Sequence, residues 1–211
     1  MNEGTLSLII QWCLLCLIWM GSLDRPLTKV GLTRASLLAA LTLSLVSSFV
    51  SWKLYFLPVQ VSMSGAILPI LSAGWLYVRF PRERRRLLLL AALLTAVLLT
   101  LFRMVLFKDP VLLVLDETTL IAIVTLVALF ALTRDMRQQL FLLFLVLPLT
   151  DGLYMLQFLP QMERSEIGSE YAQDMLWSTF FLWGLALVAW SVVKKGWGVY
   201  RAVRSKSDSH R

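Results

Sequence analysis

RFPRERRRLLLLAALLTAVLLTLFRMVLF, residues 79–107, sets a block of arginines (Arg79, Arg82, Arg84, Arg85 and Arg86) against an apolar run from Leu87 to Phe107. Only Thr95, Thr100 and Arg103 interrupt that run. At a rise of about 1.5 Å per residue, some 20 apolar residues coiled as a helix match the roughly 30 Å hydrocarbon core of a bilayer. Arginine and lysine clusters beside such a run stay on the cytoplasmic face. The stretch therefore predicts a membrane span and also the direction in which it is threaded.

The rest of the chain has the same composition. It has 211 residues, 58% of them hydrophobic and 16% charged, with a mean hydropathy of +0.75. Soluble domains run nearer about 45–50% apolar and about 25% charged. A bilayer is the solvent that tolerates this excess. Apolar runs predict seven transmembrane helices, at about 4–23, 35–57, 62–78, 87–107, 111–133, 139–158 and 175–193. The fold class is thus an all-α polytopic bundle, with a transmembrane domain over 1–193 and a basic tail over 194–211. The first run carries Glu3 instead of a basic n-region and lacks a small-residue cleavage motif, so it reads as a retained span and not as a signal peptide.

Charge orients the bundle. Alternate connections hold Arg25, Lys29 and Arg34, then the arginine block, then Arg134 and Arg137, then the tail from Lys194 to Arg211. The opposite side receives Lys53, Lys108 and Arg164, and its longest connection, 160–174, is acidic through Glu163, Glu166, Glu170 and Asp174. Only alternating spans give this rhythm. The positive-inside rule then puts the N-terminus outside and the C-terminus in the cytoplasm. The three similar hairpins follow from the same alternation and do not by themselves argue for duplication. A net charge of +7 is explained by loops and tail lying against anionic headgroups, which leaves no reason to invoke nucleic acid.

Most of the usual chemistries lack their residues. Cys13 and Cys16 form a lone CxxC pair on one face of the first span, where a thiolate is disfavoured, and the only histidine is His210. No metal site, cofactor-binding motif, phosphate loop or nucleophile turn occurs, so neither catalytic residues nor a cofactor is expected. Trp52, Trp75, Trp177 and Trp197 fall near span ends, as interfacial rings do, while Trp12, Trp183 and Trp190 read as packing. The small-residue stripe Ala40, Ser44 and Ser48 reads first as close helix packing, with a hydroxyl-lined path as the sharper alternative.

The informative residues are ionisable groups at membrane depth. Arg103, Asp116, Glu117 and Asp151 fall roughly 6–11 Å inside the outer boundary, in one layer. Since a charge facing lipid costs about 2.5–3.5 kcal/mol, Arg103 should pair with one or more of the carboxylates across adjacent helices. The layer is either a structural ion pair or a vestibule in which a carboxylate takes a cation or proton. A third possibility is a fifth span that starts late, near Thr118, leaving Asp116 and Glu117 among the headgroups. Pro148 and Gly152 flank Asp151 and could free backbone carbonyls beside it.

The stretch LFKDPVLLVLDE at 106–117, within a short multi-spanning chain, resembles the YphA-like family of Firmicutes membrane proteins. The resemblance implies a bacterial cytoplasmic membrane and carries over no activity, cofactor or site residue. The three hairpins are also similar to those of SWEET and PQ-loop transporters. Their proline–glutamine pair marks a helix kink in each repeat, whereas Pro160-Gln161 here lies in an external loop without a counterpart. Two functions remain in view. One is a non-enzymatic protein acting as scaffold, sensor or assembly factor through a protein partner, a second copy of itself or lipid. The other is a small ion- or proton-coupled transporter or channel.

Overall fold

The computed structural model describes residues 3–22, 33–50, 52–56, 59–109, 116–158 and 165–208. Several sequence features lie outside them: Arg25, Lys29, Leu57 and Pro58, the first residues of the expected fifth span, the segment from Pro160 to Arg164, and His210. Among the described residues there are seven helices: α1 (Thr5–Trp19), α2 (Arg34–Val50), α3 (Leu68–Val78), α4 (Arg82–Lys108), α5 (Glu117–Leu132), α6 (Met136–Phe158) and α7 (Glu170–Asp208). Three of them, α4, α6 and α7, are long and apolar enough to cross a membrane, while α1, α2 and α5 are shorter apolar helices of 15, 17 and 16 residues. Helix α7 carries on through position 194 without a break.

The ends of the bundle differ in how they are closed. At one end, arginines do the closing. Arg85 donates from Nε to the Phe80 carbonyl at 2.7 Å and from Nη2 to the Val78 carbonyl at 2.6 Å, meeting carbonyls at the end of α3 that no further turn can pair. Arg34 at the start of α2 donates to the Trp19 carbonyl at the end of α1. Glu83 in the first turn of α4 and Lys108 in the last complement its dipole.

The other end is closed by a small sheet, which departs from the expected spans. The sequence predicts a second span to about residue 57 and a third from about 62, joined by a short connection at Pro58. Instead β1 (Lys53–Phe56) pairs antiparallel with β2 (Val59–Ser62), and β2 pairs parallel with β3 (Ser165–Ile167), drawn from the acidic connection. The local sequence explains the change. Lys53–Ser62 is rich in aromatic and β-branched residues around Pro58, which favours strands over continued helix. Lys53 Nζ lies 2.7 Å from Glu166 Oε2, tying β1 to β3 across the sheet.

From β2 the chain passes through one wide helical turn, Met63–Ile67, into α3. Gly65 there lies so close to the Gly168 turn that an added Cβ would sit 2.2 Å from the Gly168 carbonyl oxygen. Gly168 itself has φ +76°, a left-handed conformation open to glycine. Helix α1 is anchored at the same end. The Asp174 carboxylate accepts from the backbone N–H groups of Gly4 and Ser7, both at 2.7 Å, capping free donors at the α1 start. These contacts set α1 beside α7, running in the same direction.

Helix α5 begins at Glu117, not near Val111, so the late start weighed above is the one observed. Asp116 holds the extended backbone expected of a cap, and its carboxylate accepts from the Thr118 hydroxyl. The core gathers on α6, where Phe141, Leu142, Leu143, Val146 and Leu147 are all buried. Trp177 and Trp183 are buried too, so Trp177 does not act as an interfacial ring. Trp12 and Trp190, expected to pack inside, face outward, as do Cys13 and Cys16. In the small-residue stripe, the Ser48 hydroxyl bonds the Ser44 carbonyl and Gln173 Oε1, both at 3.0 Å, and joins α2 to α7.

Candidate functional site

Arg103 sits five residues before the end of α4 and is 6% exposed. Leaving a guanidinium there without partners would strand a charge in a dry interior, and the surroundings supply partners on every side. Its Nε donates to Glu117 Oε1 at 3.0 Å and its Nη1 donates to Asp151 Oδ1 at 3.2 Å. The Arg103 Cζ lies 3.9 Å from the Tyr154 ring centroid and 4.7 Å from that of Tyr171. The guanidinium is thus held at its edge by carboxylates and lies against two aromatic rings, an arrangement suited to a planar, weakly hydrated cation.

Asp151, wholly buried on α6, uses both oxygens. Oδ1 takes Arg103, and Oδ2 accepts the Gly168 backbone N–H at 2.8 Å. The left-handed turn at Gly168 aims that N–H into the bundle, and its approach to Gly65 leaves room for no side chain. One cluster therefore joins α4, α5, α6, α7 and the turn after β3. Glu117, at the first turn of α5, is the outermost member, with its side chain 34% exposed.

The expected layer is thus assembled in three of its four members. Arg103, Glu117 and Asp151 come together, while the Asp116 carboxylate is exposed and bonds Thr118 instead. Pro148 does not add a free carbonyl to the cluster. A proline at 148 frees the carbonyl of Phe144, seven residues and about 10 Å from Asp151 toward the arginine-closed end. Tyr154, Tyr171 and Gly168 were missed from sequence. Tyr154 was accessible, because residue i+3 from Asp151 shares its helix face. Nothing local marks Tyr171 or Gly168, which arrive through the sheet. Among the described residues no group of three or more His, Cys, Asp or Glu could hold a metal ion.

A second polar group lies nearby. Ser48, Ser62, Ser64, Gln173, Glu170 and the Lys53–Glu166 pair line a cavity of about 170 Å³ under the sheet. Ser62 and Ser64 lie 3.4 Å apart, hydroxyl to hydroxyl. The strand-capped end thus holds two polar clusters, joined through Gly168, whose N–H binds Asp151 and whose carbonyl accepts from Gln173 Nε2 at 3.5 Å.

No curated protein and no solved structure matches the chain. A family profile does, that of the YphA-like integral membrane proteins, over residues 3–208. The match takes in every helix described above together with the Arg103 cluster and the sheet, and by it the chain belongs to the YphA-like integral membrane protein family.

Proposed function

We propose that this is a seven-span protein of a bacterial cytoplasmic membrane, N-terminus outside and C-terminus inside, that acts without catalysis of its own through lipid or protein partners. On this reading the arginine-closed end faces the cytoplasm and the sheet faces outward, as the positive-inside rule requires. The short helices reach only part of the core's thickness, and local bilayer thinning accommodates them at modest cost.

One observation carries the choice of a partner role over transport: the buried Arg103 charge is met by two carboxylates of the protein itself, Glu117 and Asp151. Both Asp151 oxygens are engaged and both faces of the question, charge and hydrogen bonding, are answered within the protein. An ion taken up at Asp151 would have to compete with Arg103 for one oxygen and with the Gly168 N–H for the other. The cluster reads as a clasp that locks the outer ends of four helices in register, giving partners a fixed surface.

The test is a pair of variants in purified, reconstituted protein. Asp151→Asn should lower thermal stability and folded yield, and adding Arg103→Gln should recover part of the loss, because the stranded cation is then gone. Neither should change proton or sodium flux into liposomes beyond that of empty vesicles. Coupled flux in the wild type that Asp151→Asn abolishes while the protein stays folded would establish transport and overturn the clasp.

A further inference from the structure

The other half of the bundle holds a different feature. A groove of about 620 Å³ runs among α1, α2, α3, α6 and α7, with Leu14, Ala40, Trp75, Phe144, Phe180 and Gly184 in its walls. Its wall on α7 extends from Leu176 to Val188, thirteen residues and about 18 Å of helix. That is close to the depth of one leaflet, about half of the roughly 30 Å core. The groove opens toward the arginine-closed end, where it takes in the last residues of α1 and the first of α2 and α6, and reaches inward as far as Leu68 and Pro69 at the start of α3.

Its lining is largely apolar, the polar groups being the hydroxyls of Ser36, Ser44 and Ser72 and the indole N–H groups of its tryptophans, of which that of Trp177 is buried without a hydrogen-bond partner. The Ser72 hydroxyl is committed to the Leu68 carbonyl at 2.8 Å and the Ser36 hydroxyl to the Thr33 carbonyl at 2.8 Å. Phe144 and Phe180 stack with centroids 5.9 Å apart. The side is open, because Leu71, Phe181, Leu185 and Val188 are each 46–60% exposed. Gly184 faces vacant space, with nothing within 4 Å of where a Cβ would stand.

The mouth is cationic. Arg79 lays its guanidinium 3.6 Å over the ring of Trp75, a groove wall, and Arg34 is fixed to the Trp19 carbonyl, next to the groove residue Ile18. Both arginines are exposed. A leaflet-deep apolar slot beneath two positive groups at the membrane surface matches one kind of molecule: a lipid with an anionic headgroup and long acyl chains.

We infer that the groove is a seat for one anionic phospholipid of the cytoplasmic leaflet, its acyl chains between α2, α3 and α7 and its phosphate beside Arg34 and Arg79. This names a partner for the role proposed above, and it rests on that reading only for the leaflet, which the orientation fixes. The seat differs from ordinary annular contact in having a shape that a side chain can fill and a mouth that a charge change can blunt.

The experiment is native mass spectrometry of the full chain in detergent, titrated with dioleoyl phosphatidylglycerol or dioleoyl phosphatidylcholine. Each basic residue near an anionic headgroup is worth about 1 kcal/mol, or about fivefold, so the first phosphatidylglycerol should bind at least tenfold more tightly than phosphatidylcholine. Arg79→Gln and Arg34→Gln should each lower that preference about fivefold. The pair Gly184→Phe with Ala40→Phe should abolish the tight first binding while the thermal midpoint stays within a few degrees of wild type. Equal affinity for the two lipids overturns the seat. So does a filled groove that keeps wild-type affinity, since the arginines would then attract headgroups without it. If the filled pair does not fold, the two arginine variants decide on the same readout. Impermeant labelling of cysteines placed at Ser165 and Ser205 reports orientation separately. A reversed labelling pattern overturns the leaflet and the topology while leaving the binding constants to judge the groove.

Discussion

The two halves of this bundle solve opposite problems. Toward the sheet, the interior is polar and its charges are answered: Arg103 by Glu117 and Asp151, Asp151 by Gly168, and the α1 N-terminus by Asp174. Toward the arginines, the interior between α2, α3 and α7 is apolar and open, a slot of about 620 Å³. Directional bonds fix distance and angle, so the polar half has one good arrangement. Apolar walls gain nothing from a particular partner and can remain apart where lipid fills the space. The comparison teaches that rigidity in a small membrane protein can be concentrated at one end, leaving the other free to receive a ligand.

Substitutions should expose that asymmetry, starting with the polar half. Asp151→Asn removes the fully buried counter-charge of Arg103 and leaves Glu117 alone to pair it, which should cost up to about 3–5 kcal/mol, read as a fall in thermal midpoint or in resistance to denaturant. Near wild-type stability would mean that Asp151 is not charged in the native protein. Gly65→Ala forces a methyl toward the Gly168 carbonyl, so about 1–3 kcal/mol should be lost as the turn and Asp151 move apart. Hydrogen exchange at Gly168 should accelerate in step. If it does not, the close approach of the two glycines is not what holds the turn.

Asp174→Ala removes the cap on α1 and should cost about 1 kcal/mol, visible as faster exchange in the first turn of that helix. The open half should respond in the other direction. Gly184→Ala meets no neighbour and replaces a flexible helical residue, so it should stabilise α7 by about 0.5–1 kcal/mol. A loss there would show that the groove is closed in the membrane-embedded protein.

Much of the clasp was legible beforehand because the bilayer penalises mistakes. An arginine at the depth of Arg103 needs a counter-charge, and Glu117 and Asp151 stood at matching depths on other runs. Asp116, one residue from Glu117, looked equivalent. A single residue of helix turns the side chain by about 100°, and the start of α5 at Glu117 leaves Asp116 outside. The sheet was missed because hydropathy carries the second span on to Leu57 and leaves 58–61 as a short connection, and the strand character of this stretch depends on pairing with Ser165–Ile167 a hundred residues later. The outward positions of Trp12 and Trp190 were hidden for a related reason. In a membrane both sides of a helix are apolar, so composition does not tell inside from outside.

What the residues dictated alone is membership of the bilayer, the apolar runs and the alternation of basic connections. Each rests on the transfer energy of single side chains, which needs no neighbour to be defined. The start of α5, the sheet under which Gly65 meets Gly168, the two tyrosines around Arg103 and the groove beneath Arg79 were decided by tertiary structure. These are properties of pairs brought together from distant positions, and a pair has no energy until the fold supplies the distance between its members.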